Sequence, residues 1–466
     1  MARYRKICSL LLVLYILVFC CAGCFSLPIA TNTSQQIVYT GYGANGVVSG
    51  SLHILEIGKD KIILDAGLFY GDDGDNAPPL DENVLDGISA IVISHAHLDH
   101  IGRLLEVVDL GYSGPIYCTQ PTRDLLPVML RMEARYGDFG PETFYYSNRS
   151  KLNNDKQGKH TAAHLYRQCQ YGRQISAENR REIFCSREDL EERGFYLCKA
   201  CADQHVSTVM DLIRTVPLNT KRQISSNLTI EFLNTPHLPG SAMVLIHNKM
   251  SQQTVLYTGD VGSGSSRYLP AQTPVQEADY AIVEGTYGTS DYFSTEADRI
   301  QFQKFIGDCI RANKRVIIPA FVLDRSQQVL GEISRGMDNG YIPSSTPVKV
   351  FSPSTAQINH IYAQIFTDQD YKEFFAADYY EYGPFKPVFE EYDQVHQVDY
   401  GEIAVASSGM ADSTYSREFV KQWISDPQTV FIFVGYQDPD TLGGKLTGSD
   451  LDKLIVDQEE YIVAAE

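Results

Sequence analysis

Four potential metal ligands fall within six residues: His95, His97, Asp99 and His100, in the stretch His95-Ala96-His97-Leu98-Asp99-His100. Imidazole and carboxylate suit zinc or a similar divalent ion, and four donors this close would crowd one centre, so two metals are expected. A histidine-rich solvated turn is the bland alternative, and the density of donors argues against it. The apolar residues 88–93 directly before the cluster read as a buried strand that empties into a ligand-bearing loop.

Such a loop needs a scaffold, and the chain supplies alternating strands and helices. Residues 37–40, 46–55 and 61–64 read as short strands separated by Gly, Asn and Lys-Asp turns, the third ending at Asp65-Ala66-Gly67. Helices are expected over 102–110, 122–135 and 206–216, with a strand over 115–118. Later strands at 228–233, 243–247 and 254–258 lead into Thr235-Pro236-His237, back from it, and into Gly259-Asp260. His247 reads as an ordinary strand residue. A second series of strands and helices follows from 278, including a helix over 296–312 and strands near 315–319, 347–350, 404–406 and 430–437, so the fold class is α/β. In this second series Arg325 is a candidate phosphate contact, because its planar fork matches phosphate oxygens. A salt-bridged structural arginine is the alternative. The turn Ser407-Ser408-Gly409 could cradle a phosphate through backbone donors, against a plain packing turn. No dinucleotide fingerprint stands out, so no nucleotide cofactor is inferred.

His95-x-His97-x-Asp99-His100 resembles the signature of the metallo-beta-lactamase fold. Glu284-Gly285-Thr286-Tyr287-Gly288 and the segment Ala320-Phe321-Val322-Leu323-Asp324-Arg325 resemble its beta-CASP branch of RNA-processing nucleases, which usually has Gly in place of Asp324. The resemblance implies an αββα sandwich with an inserted Rossmann-like beta-CASP domain. It divides the chain into a metal-binding domain at 35–279, with an insertion near 136–205, a beta-CASP domain at 280–435, and the start of a returning segment at 436–466.

It also implies roles. His95, His97, His237 and Asp260 would hold one metal; Asp99, His100 and Asp260 would hold the other, with Asp260 as the bridge. Asp65 would brace the metal loop from behind, and Glu284 would be an acidic residue near the metals. Asp65, Asp99 and Glu284 are thus the catalytic candidates, and Arg325, Ser407, Ser408 and Gly409 the substrate-binding ones. A histidine usual in the family a few positions after Glu284 is replaced by Asp291-Tyr292. The family's later C-terminal motifs, one for leaving-group protonation and one for ligation of the second metal, do not follow Gly448. The second site is therefore expected to be weak or empty, and a protein partner or second subunit is expected on the exposed sheet edge.

Length and composition frame these expectations. A chain of 466 residues suits two domains. Its net charge of −19 is unusual for a nucleic-acid binder, which normally presents a basic face. Arg3, Arg5 and Lys6 precede an apolar run over 10–21, too short for a membrane span and typical of a secretory signal. With Cys21-Ala22-Gly23-Cys24, residues 1–28 read as a signal or lipoprotein leader, with membrane attachment through Cys24; a buried helix is the alternative. Export and RNA processing pull against each other. Of ten cysteines, Cys198 and Cys201 could form half of a zinc site with Cys169, Cys185 or His205. The acidic residues over 71–87 lack calcium-loop spacing. The polar, Tyr- and Arg-rich residues 136–205 read as a solvated excursion, with a stacking and phosphate path as the alternative.

The leading reading is a metal-dependent phosphodiester hydrolase, a ribonuclease using two divalent metals, zinc first. The competing readings are a catalytically impaired RNA-binding or scaffold relative, and an exported metallo-hydrolase with another substrate.

Overall fold

The computed structural model describes residues 36–69, 80–136, 199–262, 268–286, 288, 295–366, 398–448 and 451–466, with short strands at 145–147, 163–164, 173–174, 195–197 and 385–387. The proposed leader with Cys24, and Cys169, Cys185 and Cys198, lie outside these residues, as do the side chain of Cys201 and most of the 136–205 excursion. Among the described residues, no helix is long and apolar enough to cross a membrane.

Two sheets are stacked face to face. The first contains β1 (Ile37–Gly41), β2 (His53–Ile57), β3 (Asp60–Leu64), β4 (Ile88–Val92) and β5 (Ile116–Cys118), closed at its far edge by β10 (Ile213–Thr215). Four short strands between β5 and β10, β6 to β9, form a separate small sheet. The second sheet runs in order through β11 (Lys221–Gln223), β12 (Leu228–Asn234), β13 (Ala242–Asn248), β14 (Thr254–Tyr257) and β15 (Tyr280–Ile282).

Burial on both faces explains why residues 62–64 of β3 and 90–92 of β4 are apolar without interruption. Ile62, Leu64, Ala90 and Val92 face the second sheet and pack with Phe232, Val244, Ile246 and Tyr257. Ile63, Ile91 and Ile93 face the other way, into a core shared with Leu104, Leu125, Leu126, Val206 and Val209 from the helices. A strand buried on both faces has no polar side to present.

The helices flanking this sheet include α1 (Glu82–Leu85), α2 (Leu98–Ile101), α3 (Leu104–Asp109), α4 (Gln120–Tyr136) and α5 (Lys199–Leu212). The helix expected over 102–110 is α3, at 104–109, and the additional short helix α2 precedes it inside the metal loop. The helix expected over 206–216 stops at Leu212, because Ile213–Thr215 pairs in parallel with β5. The strand expected from residue 46 starts only at His53. Gly46 and Gly50 take φ of +81° and +76°, and Ser51 N–H donates to the Asp99 carbonyl at 2.8 Å, so this segment wraps the metal loop instead.

A third, all-parallel sheet is built from β16 (Arg315–Pro319), β17 (Val348–Phe351), β18 (Phe385–Pro387), β19 (Ile403–Ala406) and β20 (Thr429–Phe431), in the spatial order β18-β17-β19-β16-β20. One face packs on α6 (Glu296–Arg311) and α7 (Arg325–Asp338) through Ile306, Val329, Leu330 and Ile333; the other packs on Phe419 and Trp423 of α9 (Thr414–Trp423). This is a Rossmann-like layer arrangement, in which ligands bind outside the carboxyl ends of the strands. The expected strand over 430–437 ends at Phe431.

Between β17 and β18, α8 (Pro353–Ile365) joins the two halves of the chain: Ile358 and Tyr362, with Val322 and Leu323, belong to the same core as Leu125 and Val206. After α10 (Leu442–Gly448), the hairpin of β21 (Lys453–Val456) and β22 (Glu459–Ile462) places Leu454 and Val456 against Val420 and Ile424.

Candidate metal centre

Every ligand expected from the sequence lies at the end of a buried element. His95, His97, Asp99 and His100 follow β4 and enter α2, His237 follows β12, and Asp260 follows β14. Their donor atoms converge into two groups, His95, His97, His237 and Asp260 in one and Asp99, His100 and Asp260 in the other.

The spacing tests whether these residues fit metal ions. Ligand atoms about 2.0–2.1 Å from a tetrahedral ion stand about 3.3 Å apart. In the first group His95 Nε2 and His97 Nδ1 are 3.2 Å apart, and His97 Nδ1 and His237 Nε2 are 3.1 Å apart. Asp260 Oδ2 lies 3.5 Å from His237 Nε2 and 3.8 Å from His95 Nε2. In the second group His100 Nε2 is 3.2 Å from Asp260 Oδ1 and 3.7 Å from Asp99 Oδ2. The donor set fits, and Asp260 turns one oxygen to each group.

Hydrogen bonds on the outer sides of the rings fix which nitrogen faces inward. His100 Nδ1 lies 2.6 Å from Asp65 Oδ2; a carboxylate accepts, so Nδ1 carries the proton and Nε2 is left for the cluster. Ser94 Oγ donates to Asp65 Oδ2 and stands 3.0 Å from His95 Nδ1, which sets His95 the same way. His97 is reversed: its Nε2 faces the Leu323 carbonyl at 3.4 Å, and Nδ1 points inward.

Asp65 is fully buried at φ +58° and sits at the centre of this bracing. Besides His100 and Ser94 Oγ, it accepts from Ser94 N–H at 2.7 Å and Tyr257 Oη–H at 2.5 Å. Tyr257 continues to Ser51 Oγ (2.8 Å), His53 Nε2 (3.2 Å) and, across that ring, Tyr39 Oη (3.1 Å). Ser51, His53 and Tyr257 were not singled out in the sequence. The only signal for Tyr257 was strand alternation, which puts it on the inward face with Val255.

Burial pushes the His97 imidazole down to about 3 and His95 well below its ordinary value, so both stand neutral as ligands must. Burial also opposes a charge on His100, but the Asp260, Asp65 and Asp99 carboxylates outweigh it and raise that imidazole. Asp260 is held well below the carboxylate range, its burial overcome by His100, His95 and His237. The side chains of Asp99, His237 and Asp260 are 20%, 22% and 29% exposed while His95 is sealed, so the centre opens on the Asp260 side.

Glu284 stands beside the backbone that follows Asp260, outside both ligand groups. Its carboxylate accepts from Val261 N–H, next to Asp260, at 3.4 Å and from Thr286 N–H at 3.0 Å. The substrate-binding candidates gather at the carboxyl ends of β16 and β19. Arg325 bonds Gln328 Oε1 at 3.2 Å and forms no ion pair among the described residues. A Cβ at Gly409 would meet the Phe321 ring at 2.7 Å, and one at Gly435 would lie 3.7 Å from Arg325 Nε. Ser407 and Ser408 are tied inward, with Thr414 Oγ1 donating to Ser407 Oγ at 3.3 Å and Ser413 N–H to Ser408 Oγ at 3.3 Å.

Stacked sheets, paired ligand groups at strand ends and one carboxylate facing both define a dinuclear metallohydrolase architecture. Residues 45–161 match the metallo-beta-lactamase superfamily and residues 326–446 the Beta-Casp domain; the chain belongs to the beta-CASP family of the metallo-beta-lactamase fold. A ribonuclease of Thermus thermophilus is 24% identical over 416 residues, covering 87% of this chain and 80% of its own. Transcription termination factor FttA of Methanosarcina mazei is 25% identical over 438 residues, covering 89% and 58%. An Integrator complex subunit 11 homolog of Dictyostelium discoideum is 27% identical over 427 residues, covering 88% and 48%. The chain thus spans about half to four-fifths of the length of these relatives.

Proposed function

We propose that this protein is a metal-dependent phosphodiester hydrolase that cleaves RNA. The observation that carries the reading is Asp260, whose two oxygens face two separate donor groups. The fold and the similarity to a ribonuclease, a transcription termination factor and a cleavage and polyadenylation specificity factor subunit support RNA as the substrate.

His95, His97, His237 and Asp260 Oδ2 would hold one ion, and Asp99, His100 and Asp260 Oδ1 the other. When bound, such a pair supplies Lewis-acid charge that activates water and offsets negative charge on the phosphoryl oxygens. Asp65 and Ser94 keep His100 and His95 in the ligating tautomer, and Glu284 fixes the backbone beside Asp260. Arg325, at the lip formed by Phe321, Gly409 and Gly435, binds the RNA backbone; Ser407 and Ser408 shape that lip from behind.

Finer assignments go with this reading. Zinc is the metal, by the imidazole-rich first group, and the second position is held more weakly, with three donors against four. Residues 35–279 and 280–435 correspond to the two domains, with β15 at the junction completing the first domain's second sheet, and 436–466, proposed as the start of a returning segment, packs on α9 of the second domain as far as it runs. A protein partner covers the edge strand β15, where Tyr280 and, just past the strand's end, Val283 are 51% and 64% exposed. Cys24 attaches the chain to a membrane.

The test is cleavage of labelled RNA by the zinc- or manganese-loaded full chain beside Asp99→Ala and His97→Ala. Turnover in the wild type that both substitutions abolish supports the reading; RNA binding without turnover at saturating metal refutes it.

A further inference from the structure

We infer that the turn Leu323-Asp324-Arg325 is a positioning device for His97, and that Asp324 is the residue that sets it, so that the seating of the second domain is felt at the first metal group. The inference rests on reading that group as a metal site.

Asp324 has φ +68° and ψ −50°, and Arg325 N–H donates to the Leu323 carbonyl at 2.9 Å. That is a three-residue γ-turn of the positive-φ kind, which is strained for any residue with a Cβ. The same Leu323 carbonyl faces His97 Nε2. A carbonyl can only accept, so the turn holds the proton on Nε2 and leaves Nδ1 for the cluster. The preceding carbonyls are occupied elsewhere: Phe321 O by Ser326 Oγ at 2.7 Å and Val322 O by Gln327 Nε2 at 3.1 Å. Leu323 O is therefore the carbonyl this segment turns toward the metal centre.

The turn is held by the Asp324 side chain. Asp324 occupies the N-cap position of α7 yet makes no side-chain cap bond, forgoing the usual use of an aspartate there. Its buried carboxylate instead accepts from Tyr268 Oη at 2.8 Å and Tyr362 Oη at 3.2 Å through Oδ1, and from Gln328 Nε2 at 2.5 Å through Oδ2. Tyr268 lies on the connection between β14 and β15, Tyr362 on α8 and Gln328 on α7. One carboxylate thus ties the first domain to two helices of the second, over a leucine whose side chain is buried in the first domain's core.

Glycine accepts this φ without strain, so Asp324→Gly relieves the backbone and removes only the tether. Asp324→Asn keeps an acceptor and tolerates positive φ. The experiment loads the full chain with Co²⁺, records its ligand-field absorption, and measures Zn²⁺ retention by chelator competition. Asp324→Gly is expected to shift the absorption and weaken retention about tenfold, the scale of losing an outer hydrogen bond to a ligating histidine, with Asp324→Asn close to wild type. Tyr268→Phe, which removes one donor and no backbone constraint, shifts both in the same direction and decides the matter if Asp324→Gly fails to fold. Wild-type absorption and retention in both Asp324→Gly and Tyr268→Phe overturn the inference. A wild type that takes up neither metal overturns the reading of the group as a metal site instead.

Discussion

Asp65 Oδ2 and His100 Nδ1 stand 2.6 Å apart in a fully buried setting, and this contact decides which nitrogen of His100 faces the second ligand group. Asp65→Asn keeps the shape but can present its amide where the carboxylate accepted. The second metal should then be lost first, with affinity there down about 10–100-fold, and the first site weakened less because Asp65 reaches His95 only through Ser94. Chelator titration with metal analysis checks it; equal loss at both positions would contradict the assignment. Asp65→Ala also strands the Ser94 and Tyr257 donors and should destabilise the fold by about 3–5 kcal/mol in urea unfolding.

Away from the ligands, burial pushes His53 down to about 4. The folded form binds fewer protons than the unfolded chain between about pH 6.5 and 4, so this group's contribution is full above about 6.5 and is lost as pH falls through that window. About 2.5 pKa units correspond to about 3 kcal/mol. His53→Gln should flatten the stability-versus-pH slope there relative to wild type; parallel curves would show that His53 is not the cause.

Arg325→Lys keeps the charge but loses the planar fork. KM for RNA should rise about tenfold with kcat and metal content nearly unchanged. A fall in kcat at constant KM would place Arg325 in the chemistry rather than at the lip.

The ligands were readable because each sits where a recognisable apolar strand ends, and a cluster such as His95 to His100 has few other uses. The sheet alternation of β3 and β4 was readable for the same reason: nothing but burial on both faces sustains such runs. What lay beyond reach were contacts set by tertiary packing. Tyr257 and His53 come from two separate strands and Ser51 from the segment before β2, with no local motif among them, and the Leu323 carbonyl has no side-chain signature at all. Asp324 stood out only as a departure from the resemblance, and its meaning depends on Tyr268 and Tyr362, which lie far from it in sequence. Glycines 46 and 50 delay an expected strand to His53 because the chain there bends around Asp99.

Asp260 tests the central claim most directly. Metal content and RNA cleavage should be measured together for wild type and Asp260→Ala. Two metals per chain and turnover in the wild type, with the second metal gone and cleavage down by about three orders of magnitude in the variant, is the result the bridging arrangement predicts. An Asp260→Ala protein that keeps two metals and cleaves RNA at the wild-type rate would contradict it.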